Sequence, residues 1–409
     1  MKVCIHRGSH EIGGSCVEIM SSGETLLIDA GLPLSTDALS HPVVPAVDRR
    51  ALRCILISHP HMDHYGLLPW MPNVPVAMGA AARRILKAAQ PYMGERDLKI
   101  EGPDLLDRQP ISIGPFRITP YLVDHSAYDA YSLLIEADNK RLFYSGDIRI
   151  HGRKSKLVER LLAYPPDDID ALLLEGSTLG RDHGDHSQQT ENQIEDAFVE
   201  AFKETPGLAL VHVSAQNMDR LVSIFRACLK TGRTLLIDLY AAEVLAATGN
   251  PKIPQSDWQN IGLCIPQRQR LQIKRNQWFE ALARHSANRV FLKKHVARSP
   301  EKYVLLFRSL WMRDLVQAEC LKGACLIHSQ WAGYLREDRF VEVESWREAH
   351  GIQFRQIHTS GHASPGDLLR IAAAINPKKL VPIHTDNPSG YDSFGMNVVF
   401  HPDGEWWEV

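Results

Sequence analysis

Ser58-His59-Pro60-His61-Met62-Asp63-His64-Tyr65-Gly66 places three imidazoles and one carboxylate within six residues, directly behind the apolar run Cys54-Ile55-Leu56-Ile57. The apolar run predicts a buried strand, and a tight turn after it would leave His59, His61, Asp63 and His64 projecting from the strand's end. Imidazole nitrogens and a carboxylate oxygen suit zinc, with manganese or iron as other occupants. The competing reading is a surface turn that happens to be rich in histidine. Outside metal-binding tracts, however, such clusters are uncommon.

One run cannot close a metal site, so the rest of the chain should supply further ligands at strand ends. Tyr121-Leu122-Val123-Asp124-His125 ends an apolar stretch in histidine, and Arg141-Leu142-Phe143-Tyr144-Ser145-Gly146-Asp147 ends another in aspartate behind a Ser-Gly turn. Late in the chain, Lys379-Leu380-Val381-Pro382-Ile383-His384 repeats the arrangement. Each alone would more often be a capped or solvated residue. Together they sit where strand ends can converge on one point.

The His-x-His-x-Asp-His run, the later His125, the Gly146-Asp147 pair and the upstream Leu27-Ile28-Asp29-Ala30-Gly31 resemble the metallo-beta-lactamase fold. The resemblance implies an αββα sandwich with two metals at one sheet edge and Asp29 supporting the ligand turn from behind. A narrower likeness lies in His358-Thr359-Ser360-Gly361-His362-Ala363-Ser364-Pro365-Gly366-Asp367-Leu368, with His384 following 22 residues after His362. This resembles the beta-CASP nucleases, whose acid after the Gly-Asp ligand, Ser-Gly-His histidine and final histidine correspond to Glu175, His362 and His384. The wording is similar to bacterial ribonuclease J and its relatives in messenger-RNA 3'-end processing. Members that act on DNA commonly carry valine at the last position, so His384 favours RNA.

The resemblance also implies roles. His59, His61 and His125 would hold one metal, Asp63, His64 and His384 the other, and Asp147 would bridge them. Two zinc ions, or manganese, would supply an activated water and neutralise the phosphate. His362 would face the phosphate as a proton donor or oxyanion stabiliser oriented by Glu175, so that His362, Glu175, Asp63 and Asp147 make up the catalytic group. Ser360 and Gly361 resemble a phosphate cradle, Ser214 with Asn217 and Arg220 a second, and Ser329 a third. Ordinary helix capping is the alternative for Ser214 and Ser329. His183 and His186 read as solvated loop residues, because the two-metal set is already filled.

A length of 409 residues suggests about two domains. There is no apolar run of membrane-spanning length, and Met1-Lys2-Val3-Cys4-Ile5-His6 lacks a signal-peptide core, so a cytoplasmic protein is expected. The seven cysteines form no Cys-x-x-Cys pair, and no disulfides are expected. Net charge is only −2, so a surface for nucleic acid must be local. Between Ile265 and Lys302, ten Lys or Arg, among them Arg268, Arg270, Lys274, Arg275, Lys293 and Lys294, face only Glu280 and Glu301. These are either solvated helix faces or, as the nuclease likeness implies, a phosphate-tracking surface for single-stranded RNA.

Residues 1 to about 180 alternate short apolar runs with Gly and Pro turns and read as strands. A polar loop from Gly180 to Thr190 then leads into a helix over 191–204, with Thr190 as its N-cap. From there to about 350 strands alternate with helices, as an inserted α/β domain would. The first domain then resumes with a strand at Phe354-Arg355-Gln356-Ile357-His358, a helix capped by Ser364 with Pro365 first, and the strand before His384. The expectation is therefore an α/β protein, a metallo-beta-lactamase αββα sandwich over 1–180 and 351–409 with a beta-CASP domain inserted over 181–350. Ribonuclease J usually carries a further C-terminal domain. This chain ends at Trp406-Trp407-Glu408-Val409, soon after His384, so none is expected, and assembly as a homodimer or with a partner protein stays open.

Overall fold

The computed structural model describes residues 1–34, 42–93, 98–180 and 188–409. The chain divides into two units, one formed by Met1–Ser187 with Gly361–Val409 and the other by Gln188–Ser360.

The first unit holds β1 (Lys2–Arg7), β2 (Cys16–Ser21), β3 (Glu24–Ile28), β4 (Leu52–Leu56), β5 (Val76–Gly79), β6 (Asp104–Leu105), β7 (Ile111–Ile113), β8 (Phe116–Val123), β9 (Ala130–Ala137), β10 (Lys140–Tyr144) and β11 (Ala171–Glu175). The second unit holds β12 (Ala209–His212), β13 (Thr234–Ile237), β14 (Ile261–Leu263), β15 (Tyr303–Phe307), β16 (Cys325–His328) and β17 (Gln353–Gln356). The chain then returns to the first unit with β18 (Lys379–Ile383) and β19 (Trp406–Glu408).

Two sheets of the first unit, in the orders β19-β1-β2-β3-β4-β5-β6 and β18-β11-β10-β9-β8-β7, pack face to face. The period of two along each strand decides which residues meet. Leu26 and Ile28 of β3 face Leu133 and Ile135 of β9 across the shared core, while Leu27 between them packs outward. In β11, Ala171 and Leu173 point inward, and Leu172 and Leu174 outward under the helices Ser155–Ala163 and Pro365–Ile375. Burial on both faces explains why β11 reads as an unbroken apolar run. The outer face of the first sheet is covered by the helix Ala80–Met93 through Ala82, Leu86 and their neighbours. The result is the expected αββα sandwich.

Strand direction positions the functional edge. β10 and β18 both run parallel to β11, and β8 is antiparallel to β9, which is antiparallel to β10. Hence β8, β10, β11 and β18 all run the same way. Their carboxyl ends, and the residues just beyond, emerge along one edge.

The second unit is a six-stranded parallel sheet, β14-β13-β15-β12-β16-β17, with a core that includes Leu210, Leu305 and Leu326. The helix Glu191–Glu204 begins with the expected Thr190, whose hydroxyl accepts from Gln193 N while the Gln193 side chain returns a bond, a capping box. Ser364 likewise caps Pro365–Ile375.

Two expectations are corrected. The strand at Phe354 joins the second unit, since β17 pairs in parallel with β16, from Cys325↔Gln353 to His328↔Gln356. The first 180 residues are not all strand: Ala80–Met93 is a helix burying Ala82, Ile85, Leu86 and Ala89 on one face. Among the described residues no helix is long and apolar enough to cross a membrane. All seven cysteines are buried and free.

Candidate metal centre

The carboxyl ends of five strands supply the cluster. β4 leads through Ile57 and Ser58 into His59; the turn continues to His61, which opens the short helix Met62–Tyr65 carrying Asp63 and His64. β8 is followed by His125, β10 by Asp147, and β18 by His384, while Glu175 is the last residue of β11. Gly146, at φ +56°, makes the turn that brings Asp147 in. A Cβ there would lie 2.9 Å from Tyr131 O and 3.2 Å from Ser58 Cβ, so the turn has room only for glycine.

These residues form overlapping groups: His59, His61, His125 and Asp147; Asp63, His64 and His384; and Asp147, His362 and His384. Within each group one ligand atom per residue lies within 4.8 Å of the others. Asp147 is central, with Oδ2 3.5 Å from His59 Nε2, 3.3 Å from His64 Nε2 and 3.9 Å from His125 Nε2, and Oδ1 3.8 Å from His384 Nε2. His125 Nε2 and His61 Nδ1 stand 3.1 Å apart. Two nitrogens on one tetrahedral zinc, each at about 2.0–2.1 Å, would be about 3.3 Å apart.

Among the described residues, the buried atoms His59 Nε2, His64 Nε2, His384 Nε2 and Asp147 Oδ1 have no hydrogen-bond partner. Buried polar atoms without partners are costly, and this donor set fits a cation that would satisfy them together. The opposite ring nitrogens are engaged instead. His64 Nδ1 lies 2.7 Å from Asp29 Oδ2, His59 Nδ1 3.0 Å from Ser58 Oγ, His384 Nδ1 2.7 Å from Ser15 Oγ, and His125 Nδ1 2.6 Å from Gly361 O. Such partners fix ring orientation, and the Asp29 carboxylate and the Gly361 carbonyl, which can only accept, leave the inward nitrogens of His64 and His125 their lone pairs.

Asp29 gathers the network. Its Oδ1 accepts from Ser58 N at 2.8 Å, and its Oδ2 from Ser58 Oγ and Tyr144 OH, each at 2.8 Å, in addition to His64. The backbone at Asp29 is left-handed, φ +57°, a conformation Asp tolerates better than most residues.

Burial and crowding among imidazoles keep the His59 and His125 pKa values well below the ordinary 6.5, and burial brings His61 down to about 4. Neutral rings are what metal ligation requires. His64 behaves oppositely: burial disfavours its charge, yet Asp147, Asp29 and Asp63 hold its pKa well above 6.5. Asp147 is depressed despite burial, by His384, His64 and other imidazoles.

His362 keeps a quarter of its side chain exposed, whereas His59, His64, His125 and His384 are buried. Its Nδ1 lies 3.0 Å from Glu175 Oε1, and against the effect of burial the Glu175 and Asp147 carboxylates raise its pKa to about 9. Glu175 is itself held by Ile148 N at 3.1 Å and by Ser177 N and Oγ at 3.1 and 2.8 Å. Ser15, Ser58, Tyr144 and Ser177 were not singled out from sequence. The Gly13-Gly14-Ser15 turn before β2 was the one local signal available.

The residues expected to cradle phosphates fall differently. Arg220 has no exposed surface: its Nη2 pairs with Glu191 Oε1 at 3.0 Å, and Nη1 reaches Ser329 Oγ and, at 3.4 Å, Ile357 O. Ser329 is buried and donates to Ile357 O at 2.6 Å. In this arrangement Arg220 and Ser329 tie the second unit together and do not face solvent. Ser214 is exposed, and the cap of the helix Met218–Thr231 is Asn217, whose side chain accepts from Arg220 N. Ser360 closes the second unit and Gly361 reopens the first. His183 and His186 lie outside the described residues.

Residues 24–212 match the beta-lactamase superfamily domain, and 352–389 the Zn-dependent metallo-hydrolase RNA specificity domain. The chain is similar to the probable RNase MJ4 of Methanocaldococcus jannaschii, at 22% identity over 94% of this chain and 93% of that protein. It is also similar to ribonuclease J of Helicobacter pylori, at 22% identity over 92% of this chain and 55% of the relative, and to ribonuclease J of Mycoplasma genitalium, at 24% over 94% and 67%. It therefore spans little more than half the length of the Helicobacter enzyme. A crystal structure of a protein of unknown function from Enterococcus faecalis V583 superposes with a TM-score of 0.76 over 99% of both chains at 19% identity, a likeness of fold. With the superfamily domain and the RNA specificity domain on one chain, and ribonuclease J-like sequence along most of it, the protein belongs to the beta-CASP, ribonuclease J-like family of metal-dependent hydrolases.

Proposed function

We propose that the protein hydrolyses the phosphodiester bonds of single-stranded RNA with two zinc ions, or manganese in their place. The observation that carries this reading is the set of buried, partnerless atoms, Nε2 of His59, His64 and His384 and Oδ1 of Asp147, facing one small space. His59, His61 and His125 would hold one ion and Asp63, His64 and His384 the other, with Asp147 between them. Ions so held supply charge neutralisation for the phosphate and acidify a water.

The remaining work falls to the chain. Asp29, through Ser58 and His64, keeps two ligand rings in the tautomer whose Nε2 is unprotonated. The Gly361 carbonyl does the same for His125, and Ser15 Oγ fixes the orientation of the His384 ring. His362, its Nδ1 fixed by Glu175, would present Nε2 to the departing ribose oxygen and deliver a proton there. A side chain one-quarter exposed suits a group that must meet substrate. Relatives named ribonuclease J and the RNA specificity domain support RNA as the polymer.

The test is a time course on end-labelled single-stranded RNA and DNA of matched sequence, with 5'-phosphate and 5'-hydroxyl ends, using metal-loaded protein and an Asp63→Ala control. Cleavage of RNA that the control abolishes is expected, and the product ladder separates internal cuts from end digestion. Preferential cleavage of DNA, or no cleavage of either polymer by protein carrying two metals, would refute the proposal.

A further inference from the structure

The second unit carries a feature that the metal chemistry does not use. The helices Gln267–Asn276 and Phe279–Arg284 flank a groove of about 330 Å³ lined by Ile265, Arg270, Ile273, Lys274, Phe279 and Leu282, with Arg289 closing one side. Arg270 and Lys274, one helical turn apart, present to the groove together. Arg268, Leu271 and Arg275 form an adjacent stripe at spacings of three and four.

The charge here is unbalanced. Ten cations face two acids between Ile265 and Lys302, and among the described residues Arg268, Arg270, Lys274, Arg275, Lys293 and Lys294 make no ion pair. They are exposed. Large apolar side chains lie exposed among them: Leu271 at 59%, Phe279 at 55% and Phe291 at 46%. The Arg289 guanidinium lies 5.5 Å from the centroid of the Phe291 ring, and its Nε is buried without a hydrogen-bond partner among the described residues.

Exposed rings interleaved with unpaired cations match a chain of alternating planar bases and phosphates. Bases stack on rings whatever their identity, and the cations track the backbone. A second copy of this face is excluded by the same charges, because a two-fold interface would set cations against cations. A duplex hides its base faces, so the rings would go unused. We propose that this groove is a binding site for single-stranded RNA, separate from the groups that cleave it. The proposal rests on the nuclease reading for its choice of polymer.

The test uses the full chain, fluorescent single-stranded oligouridine, a duplex RNA, a polyglutamate peptide, and bis(p-nitrophenyl) phosphate as a substrate without any strand to track. Arg270→Ala with Lys274→Ala should weaken oligouridine binding and flatten its salt dependence by about 1.4 in the log–log slope, about 0.7 per phosphate contact. Phe279→Ala should weaken binding roughly tenfold, and Phe279→Trp should restore it. Lys293→Ala with Lys294→Ala should independently weaken binding in the same direction. Hydrolysis of bis(p-nitrophenyl) phosphate should be unchanged in all variants. If that hydrolysis is missing from the parent protein, the nuclease reading fails while the binding result still stands by itself. Oligouridine binding unaltered by the substitutions would overturn the proposal. So would duplex bound as tightly as single strand, or a loss of polyglutamate binding alone, which would assign the groove to an acidic protein.

Discussion

Replacing Asp29 with Asn tests the support of the candidate centre without touching any atom that faces a metal. The swap preserves shape, and Asn adopts the left-handed backbone at φ +57° as readily as Asp, so no strain is introduced. Hydrogen bonding is what changes. The carboxylate accepts at Oδ1 from Ser58 N, and at Oδ2 from Ser58 Oγ, Tyr144 OH and His64 Nδ1, all between 2.7 and 2.8 Å. An amide has one oxygen. In its better orientation that oxygen takes the place of Oδ2, and the NH2 group then meets the Ser58 amide, donor against donor.

A buried amide left unpaired costs about 1–3 kcal/mol, and the three surviving bonds lose the extra strength that a charged acceptor gives. Together we expect a loss of about 3–5 kcal/mol in unfolding free energy by denaturant titration. His64 would then donate from Nδ1 to a neutral oxygen instead of a carboxylate, which leaves Nε2 less basic, so metal affinity should fall about 10–100-fold, measured by competition with a chromophoric chelator. An Asp29→Asn protein with parental stability and parental metal affinity would refute the role given to Asp29. A loss of stability with unchanged affinity would refute the link from Asp29 through His64 to the metal.

Three further outcomes follow from named contacts. Glu175→Gln should lower kcat about 10–100-fold with metal content unchanged, because His362 loses its carboxylate partner at 3.0 Å; unchanged turnover would remove Glu175 as the orienting group. Gly31→Ala should prevent the 59–64 turn from seating, since a Cβ there would lie 1.8 Å from the Asp63 carbonyl oxygen; a cost above about 3 kcal/mol is expected by calorimetry, and a neutral effect would contradict the packing. His6, whose burial opposes charge, is raised to a pKa of about 9 by its bonds to Cys4 and Glu18. A raised folded pKa stabilises fully below the unfolded value of 6.5 and loses that effect as pH climbs through 9. Glu18→Gln should therefore cost about 1–2 kcal/mol at pH 6 and nothing near pH 10, and a gap independent of pH would refute the pair.

The candidate site was legible because its signals are local. A strand is read from a few apolar residues, and a histidine or aspartate directly beyond it is placed by that strand's end. So His59, His125, Asp147 and His384 could be singled out one at a time, and only their convergence had to be supplied by the fold. The supporting hydroxyls carry no such signal. Ser58 and Tyr144 meet at Asp29 from positions 29 and 115 residues away, and a serine or tyrosine in a strand looks the same whether or not a carboxylate waits for it. Arg220 illustrates the converse. An exposed phosphate contact and a buried partner of Glu191 are written with the same letter, and only burial of the guanidinium distinguishes them. The strand expected at Phe354–His358 falls in the second unit, as Gln353–Gln356, for a similar reason: an edge strand's pattern does not say which sheet accepts it.

What the local signals do settle is direction. β8, β10, β11 and β18 had to run the same way for four isolated motifs, spread from His125 to His384, to reach one edge. Reversing any one strand would carry its site residue to the far end, about 16 Å away for five residues at 3.3 Å each. The motifs therefore constrain topology as well as chemistry: a sequence that places candidate metal ligands after strands on both sides of an inserted unit requires those strands to be co-directional. The second unit enters after β11 and leaves before Gly361, so none of the strands that carry the candidate ligands lies within it, and their common direction is set by the first unit's own sheets.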